Sequence, residues 1–242
     1  MLIFAQMKYV HLFFDLDHTL WDFDANAKIT LSDLYEHFKL HRLGVDDFEQ
    51  FYRSYLKHNE VLWEKYRAGK IKVDELRWKR MALSLLDFQI WDEPLAHEMG
   101  QKFLDLLPTR NQLFPYTHEL LGNLKEKQYK LHIITNGFDH TQRCKLKNSA
   151  LEKYFTEVIT SECSNSLKPK REIFEYALRS AGADTHNSIM IGDSIDADIM
   201  GAMNAGMDNV LVNHTNITTA VKPTFEVKNL KELEQLFISA NN

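Results

Sequence analysis

From Pro108 onward the chain alternates short apolar segments with stretches of helical period, and this alternation constrains the fold more than any other feature. Residues 130–135 (KLHIIT), 157–160, 188–192 (SIMIG) and 209–212 read as strands. Residues 117–127, 138–150, 169–181, 196–204 and 230–238 read as helices, with Pro169 falling in the favoured first turn. Parallel neighbours need long crossover connections, usually helical, so strands separated by helices imply a parallel sheet. An earlier segment, 8–14 (KYVHLFF), adds a first strand of the kind buried on both faces. The expected fold class is therefore α/β, a doubly wound, Rossmann-like parallel sheet.

Between the first strand and Pro108 the character changes. The clearest helix spans 46–67, where Phe48, Phe51, Tyr55, Leu62 and Tyr66 recur at helical spacing. Asn59 interrupts that apolar stripe, and Ala68-Gly69 supplies a stop signal. Further helices are expected over 26–40, 73–86 and 93–106. The domain reading is an α/β core of 1–20 and 109–242, with an all-helical domain inserted as 21–108. Gly is 9 and Pro 5 of 242 residues, which suits a helix-rich chain.

Composition excludes several classes. Hydrophobic residues are 44% and charged residues 26%, so the chain has enough apolar material to bury a core. A net charge of -5 does not suit coating a nucleic-acid polymer. Two cysteines, Cys144 and Cys163, do not make a disulfide framework and suit a reducing compartment. No run is long enough to span a membrane, and the start, MLIFAQMKYV, lacks the basic region of a signal peptide. The expectation is a cytoplasmic protein, with Met7 an alternative start to Met1.

Three strand ends carry oxygen-bearing side chains. FFDLDHTL places Asp15 and Asp17 after the first strand, IITNGF places Thr135 and Asn136 after the second, and MIGDSIDAD places Asp193, Asp196 and Asp198 after a third. Ligands of open α/β sheets bind beyond the carboxyl ends of the strands. Carboxylates gathered there need a compensating cation, and hard oxygen donors select Mg²⁺. A carboxylate is a competent covalent nucleophile, and phosphoryl transfer asks the protein mainly to position groups and stabilise charge. Lys168, just ahead of a helix in SLKPKREIF, is the candidate cation. Thr135 and Asn136 offer a hydroxyl and a backbone N–H to a phosphate oxygen.

The four pieces DLDHT, ITNG, KPKREIF and GDSIDADIMGAMNAGM resemble, in order and spacing, the four motifs of the haloacid dehalogenase (HAD) superfamily. The helical insertion resembles that family's C1-type cap. The resemblance implies Asp15 as nucleophile and Asp17 as general acid, then base, with its backbone carbonyl facing Mg²⁺. It implies Thr135 and Asn136 as phosphoryl-binding groups, with Lys168 steadying nucleophile and phosphate. Asp193 becomes a metal ligand, Asp198 a support of the metal shell, and Thr19 a loop-fixing residue. Dehalogenases of the superfamily lack the second Asp of the first motif, so Asp17 favours a phosphatase.

Within the superfamily, ITNGF, KPKREIFEYAL, DIMGAMNAGM and the cap segment NEVLWEKYRAGKI look like the YjjG-type pyrimidine 5′-nucleotidases. That likeness implies a Mg²⁺-dependent phosphomonoesterase acting on a small phosphorylated metabolite, a pyrimidine nucleoside monophosphate, by way of an aspartyl-phosphate. Sugar phosphates and phosphoglycolate are the alternatives, and 2-haloacid dehalogenation a further one. In the cap, Asn59, Trp63 and Arg77 are the candidate substrate contacts, with core packing the competing role for Trp63 and a carboxylate partner for Arg77. Tyr116 departs from the family pattern, which places Gly after the linker proline. A receiver-type phospho-acceptor module gathers similar groups, but is about half this length. A silent binding protein would not need the full acidic set. The expected assembly is a monomer or homodimer, with neither nucleic acid nor membrane as partner.

Overall fold

The structure is a computed structural model that describes residues 8–238; the choice between Met1 and Met7 as the start lies outside the described residues. The described part of Met1–Phe23 and Asn111–Asn242 forms one compact unit, and Asp24–Arg110 forms a second.

The chain enters the first unit through β1 (His11–Phe14), all four residues of which are buried. The strand is shorter than the predicted 8–14, although Val10 still bonds both neighbouring segments, its N–H donating to Asn187 O at 2.8 Å and its O accepting from Lys130 N at 2.9 Å. The Lys8 and Tyr9 side chains bond the Asp208 carboxylate, Tyr9 Oη at 2.7 Å. After β1 come the helices α1 (Phe23–His37), α2 (Phe48–Arg67), α3 (Val73–Leu86) and α4 (Glu93–Leu106). The first unit resumes with α5 (Thr117–Glu126), β2 (Lys130–Thr135), α6 (Asp139–Asn148), β3 (Phe155–Thr160) and α7 (Arg171–Ala181). It continues through β4 (Ser188–Gly192), α8 (Met200–Asn204), β5 (Asp208–Val212), β6 (Phe225–Val227) and α9 (Leu230–Ile238).

The six strands form one sheet in the order β3-β2-β1-β4-β5-β6, every neighbouring pair parallel. This is the doubly wound α/β class that the alternation of strands and helices predicts. β1 is flanked by β2 and β4, with Phe14 opposite both Ile133 and Ile191. Three strand ends therefore finish side by side. Under the sheet, Phe13, Ile134 and Met190 pack on Ile173, Phe174 and Ala177 of α7.

Three local expectations need correction. Pro169 does not sit in the first turn of α7; the helix begins at Arg171, and the chain is still extended at Lys170. The predicted helix over 196–204 is a π-helical turn, Ile195–Ile199, followed by the short α8. β6 has no counterpart in the sequence reading, since three residues are too few to show a period.

In the second unit, α3 packs between α2 and α4. Asp47 caps α2 by accepting a hydrogen bond from Glu49 N at 2.8 Å, and Gly69 leaves the helix at φ +70°. Gly100 of α4 lets the backbones approach, because a Cβ there would lie 2.8 Å from the Arg77 carbonyl oxygen. Phe51, Tyr55, Leu76, Met81 and Phe103 fill the space between these helices.

A buried pair of histidines couples the core to pH. His11 Nδ1 and His132 Nε2 lie 3.1 Å apart on neighbouring strands, and the Phe13 ring stacks on His132 at 4.6 Å. Burial, with help from His11 and Lys130, lowers the His132 pKa from 6.5 to about 4. Between those values the unfolded chain binds the proton and the folded one does not, so this residue's contribution is lost as pH falls from 6.5 towards 4. The stability advantage of wild type over His132→Leu should shrink by about 2 kcal/mol between pH 7 and pH 5 in urea titrations. A difference independent of pH would show that the imidazole is not held neutral.

Candidate active site

The turn after β1 is closed by its own backbone. Leu20 N and Trp21 N both donate to Leu16 O, and His18 adopts φ +60° and donates its N–H to Trp21 O at 2.9 Å. Asp15 and Asp17 are thereby carried outward past the strand end. Asp15 N still pairs with Ile191 O at 2.8 Å, so this residue is fixed against β4. Thr19, fully buried, donates its hydroxyl to Asp193 Oδ1 at 2.9 Å and ties the first strand end to the fourth.

Lys168 is the hub. Its side chain is 2% exposed, and its Nζ lies 2.8 Å from Asp15 Oδ1 and 2.6 Å from Asp198 Oδ1. It also donates to Ile134 O at 2.7 Å, so the three hydrogens of the ammonium have three acceptors. Asn136 fixes the lysine's backbone: its Oδ1 accepts from Lys168 N at 2.7 Å and its Nδ2 donates to Lys168 O at 2.9 Å. The Asn136 amide is thus spent on the protein rather than on a ligand. The Thr135 hydroxyl oxygen accepts from Gly137 N at 3.1 Å and from Gln142 Nε2 at 2.7 Å, which leaves its hydrogen to donate.

Asp198 is delivered by the π-helical turn. Ser194 caps that turn, its hydroxyl accepting from Ala197 N, while Ser194 N donates to Asp198 Oδ2 at 3.0 Å. Both carboxylate oxygens of Asp198 are therefore engaged, and the side chain is fully buried. Asp196, by contrast, is exposed. Gly192 makes room for this arrangement: a Cβ there would meet Asp198 Oδ2 at 2.2 Å. Gly192→Ala should displace Asp198 and lower stability by about 1–3 kcal/mol in urea unfolding; an unchanged midpoint would mean that the carboxylate can retreat freely.

Carboxylate oxygens of Asp15, Asp193 and Asp198 lie within 4.8 Å of one another. Burial raises all three pKa values, Asp15 to about 7 with a further push from Asp198 and Asp17, and Asp193 to about 6 with a further push from Asp15. Burial would lower the Lys168 pKa, but Asp15 and Asp198 overcome it and hold the ammonium charged above its usual range. Three carboxylates facing one ammonium leave two negative charges when all are ionised. A hard, all-oxygen donor set with that deficit fits a divalent cation such as Mg²⁺. Asp15 and Asp193 have the freer oxygens for it, and Asp198 is committed to Lys168 and Ser194.

Asp17 stands apart from that cluster. Its Oδ1 is 2.6 Å from Lys145 Nζ, and its Oδ2 accepts from Gln142 Nε2 at 2.9 Å. Neither α6 residue is among the sequence candidates. The available signal was weak: Gln142, Lys145 and Leu146 share the buried face of a helix that is otherwise polar. Gly137, next to Asn136, is required by the same arrangement, since a Cβ there would lie 2.4 Å from the Gln142 amide.

The sequence candidates in the second unit lie on α2 and α3. Asn59 Oδ1 accepts from Arg80 Nη1 at 3.2 Å, and Trp63 meets Tyr66 edge to face at 5.7 Å. Arg77 Nη1 is 3.4 Å from Asp74 Oδ1, a side chain 84% exposed. Sequence reasoning passed over Arg80, whose buried guanidinium lies 4.9 Å from the Phe103 ring centre.

A sheet in this strand order, with carboxylates and a threonine at three adjacent strand ends and a buried lysine reaching in from the segment before α7, marks an enzyme of the doubly wound α/β class. The family model "haloacid dehalogenase-like hydrolase" matches residues 9–206, and the chain belongs to that family. Pyrimidine 5′-nucleotidase PynA of Streptococcus pneumoniae is 35% identical over 230 residues, 94% of each chain. Pyrimidine 5′-nucleotidase YjjG of Escherichia coli is 32% identical over 240 residues, 95% of this chain and 98% of its own. A crystal structure of the HAD-hydrolase YfnB of Bacillus subtilis bound to magnesium superposes with a TM-score of 0.86 at 30% identity, covering 95% of this chain and 98% of its own. Among the described residues, no helix is long and apolar enough to cross a membrane.

Proposed function

We propose that the protein is a Mg²⁺-dependent phosphatase that hydrolyses a pyrimidine nucleoside 5′-monophosphate through an aspartyl-phosphate. The observation that carries the chemistry is the buried lysine held between Asp15 and Asp198, with Asp193 beside them at the ends of adjacent parallel strands. The substrate class is supported by the names of PynA and YjjG, which align along nearly the whole chain.

In this reading Asp15 is the nucleophile. Its free carboxylate oxygen attacks phosphorus, the ester P–O bond breaks, and the leaving oxygen takes a proton from Asp17. Water then attacks the same phosphorus and gives a proton back to Asp17, while the electrons of the P–O bond return to Asp15. The Thr135 hydroxyl and the Asn136 backbone N–H bind phosphoryl oxygens. Lys168 balances the charge of the nucleophile and the transferring group. Asp15, Asp193 and the Asp17 backbone carbonyl would hold Mg²⁺, with Asp198 in support. The bound ion would neutralise the phosphate so that an anionic carboxylate can approach it. Residues 21–108 act as the cap, in which Asn59, Trp63 and Arg77 contact the substrate. The enzyme works in the cytoplasm as a monomer or homodimer, without nucleic acid or membrane as partner.

The test is phosphate release across nucleoside monophosphates and sugar phosphates, with Mg²⁺, with chelator, and with Asp15→Asn as the blank. Chelator-sensitive release, fastest on UMP, dUMP or dTMP, is the expected result. Equal rates on sugar phosphates would discard the substrate assignment and keep the chemistry. Release that persists in Asp15→Asn would overturn the mechanism.

A further inference from the structure

Two buried polar residues of α6 carry costs that packing does not explain. Lys145 is 2% exposed, and its ammonium lies 4.3 Å from the Trp21 ring centre and 5.6 Å from that of Phe23. Taking an ammonium out of water is expensive unless a partner compensates it, and a methionine would fill the same space without that cost. Gln142 is fully buried, and its Oε1 has no hydrogen-bond partner among the described residues. An orphaned acceptor is a penalty that an apolar residue would avoid. What the two residues share is their target. Lys145 Nζ holds Asp17 Oδ1 at 2.6 Å, and Gln142 Nε2 holds Asp17 Oδ2 at 2.9 Å.

We propose that Lys145 and Gln142 are positioning residues that lock the Asp17 carboxylate from both sides for proton exchange with the leaving oxygen. The inference rests on the phosphatase reading above. A carboxylate has about four lone-pair sites, so one bond on each oxygen fixes its orientation and leaves further sites for a proton. The cation–aromatic seat makes the lock stiff, because Lys145 cannot swing away without leaving Trp21. Gln142 adds a link to the Thr135 hydroxyl at 2.7 Å, so the proton-exchanging group and a phosphate-binding group share one amide. α6 thereby sets the distance between the two halves of the chemistry.

The test uses the leaving group as a ruler. A p-nitrophenolate departs without a proton, whereas an alkoxide needs one in the transition state. kcat/KM covers the steps through the first phosphoryl transfer. It is measured for p-nitrophenyl phosphate and for the best alkyl phosphate of the panel, with the full-length holoenzyme. In Lys145→Met, kcat/KM for the alkyl ester should fall by about 10²-fold and for the aryl ester by less, so that their ratio shifts at least about tenfold. Gln142→Met should shift the ratio in the same direction, and carries the test if Lys145→Met fails to fold. Equal losses on both esters in both variants would overturn the inference, since a purely structural or phosphate-binding role cannot sense the leaving group. A wild-type enzyme that hydrolyses neither ester would overturn the phosphatase reading, and this inference with it.

Discussion

Asp15→Asn is expected to lower phosphate release by at least about 10³-fold while the protein stays folded. The side chains are nearly isosteric, but the amide cannot attack phosphorus as an anion. In wild type, acid quenching during turnover should trap a phosphorylated protein that hydroxylamine discharges, as expected of an acyl phosphate; the variant should trap none. The same substitution should not destabilise the chain at pH 8. Asp15 is a carboxylate whose pKa is raised to about 7, first by burial and then by the neighbouring Asp198 and Asp17, against the pull of Lys168. Between its ordinary value of 3.8 and 7 the folded chain holds the proton more tightly than the unfolded one, so this group's contribution declines as pH rises through that window. Removing the charge removes that burden. Loss of activity with equal or higher stability at pH 8 is the signature of a group kept for chemistry. Loss of both would mean that Asp15 is held for its bond to Lys168.

The frame of the fold was legible because each signal was local. β2, β4, α3, α4 and α9 occupy the residues predicted for them, and each is either a short apolar run or a stripe of helical period. Asp15 and Asp193 stand out because each follows such a run directly, and Thr135 because it ends one. What was not legible depends on partners distant in sequence. The Lys8 and Tyr9 side chains meet Asp208, some two hundred positions away, and no window over 8–14 contains that fact. Tyr116 takes φ +75° where relatives are expected to carry Gly; its hydroxyl bonds Glu234 Oε2 at 2.7 Å, a contact between α9 and the residue leading into α5. Gln142 and Lys145 were missed for the same reason. On a polar helix they read as surface, and only the closing of α6 over the Asp17 turn makes them interior. Asn136 has a task that its motif does not announce: its side chain serves the Lys168 backbone.

Lys168→Met is expected to cost about 3–5 kcal/mol of stability at pH 8 in the presence of a chelator, because it leaves Asp15 and Asp198 buried without their shared cation. Methionine keeps most of the volume, so a cavity is not the source of the loss. The sign of the pH dependence distinguishes the cause. Both carboxylates already have raised pKa values, chiefly from burial, and without the ammonium they rise further. The folded variant then binds protons that the unfolded chain has released, and its stability falls as pH rises from about 5 to 8. The gap to wild type should accordingly narrow towards pH 5, where protons replace the lost cation. Millimolar Mg²⁺ should narrow it at pH 8 by a different route, since a divalent ion beside Asp15 and Asp193 offsets the same charge. Urea titrations at the two pH values, with and without the ion, separate these effects. A loss that neither protons nor Mg²⁺ relieve would place the lysine's contribution in packing and in its bond to Ile134 O, not in the balance of charge on which the proposed chemistry depends.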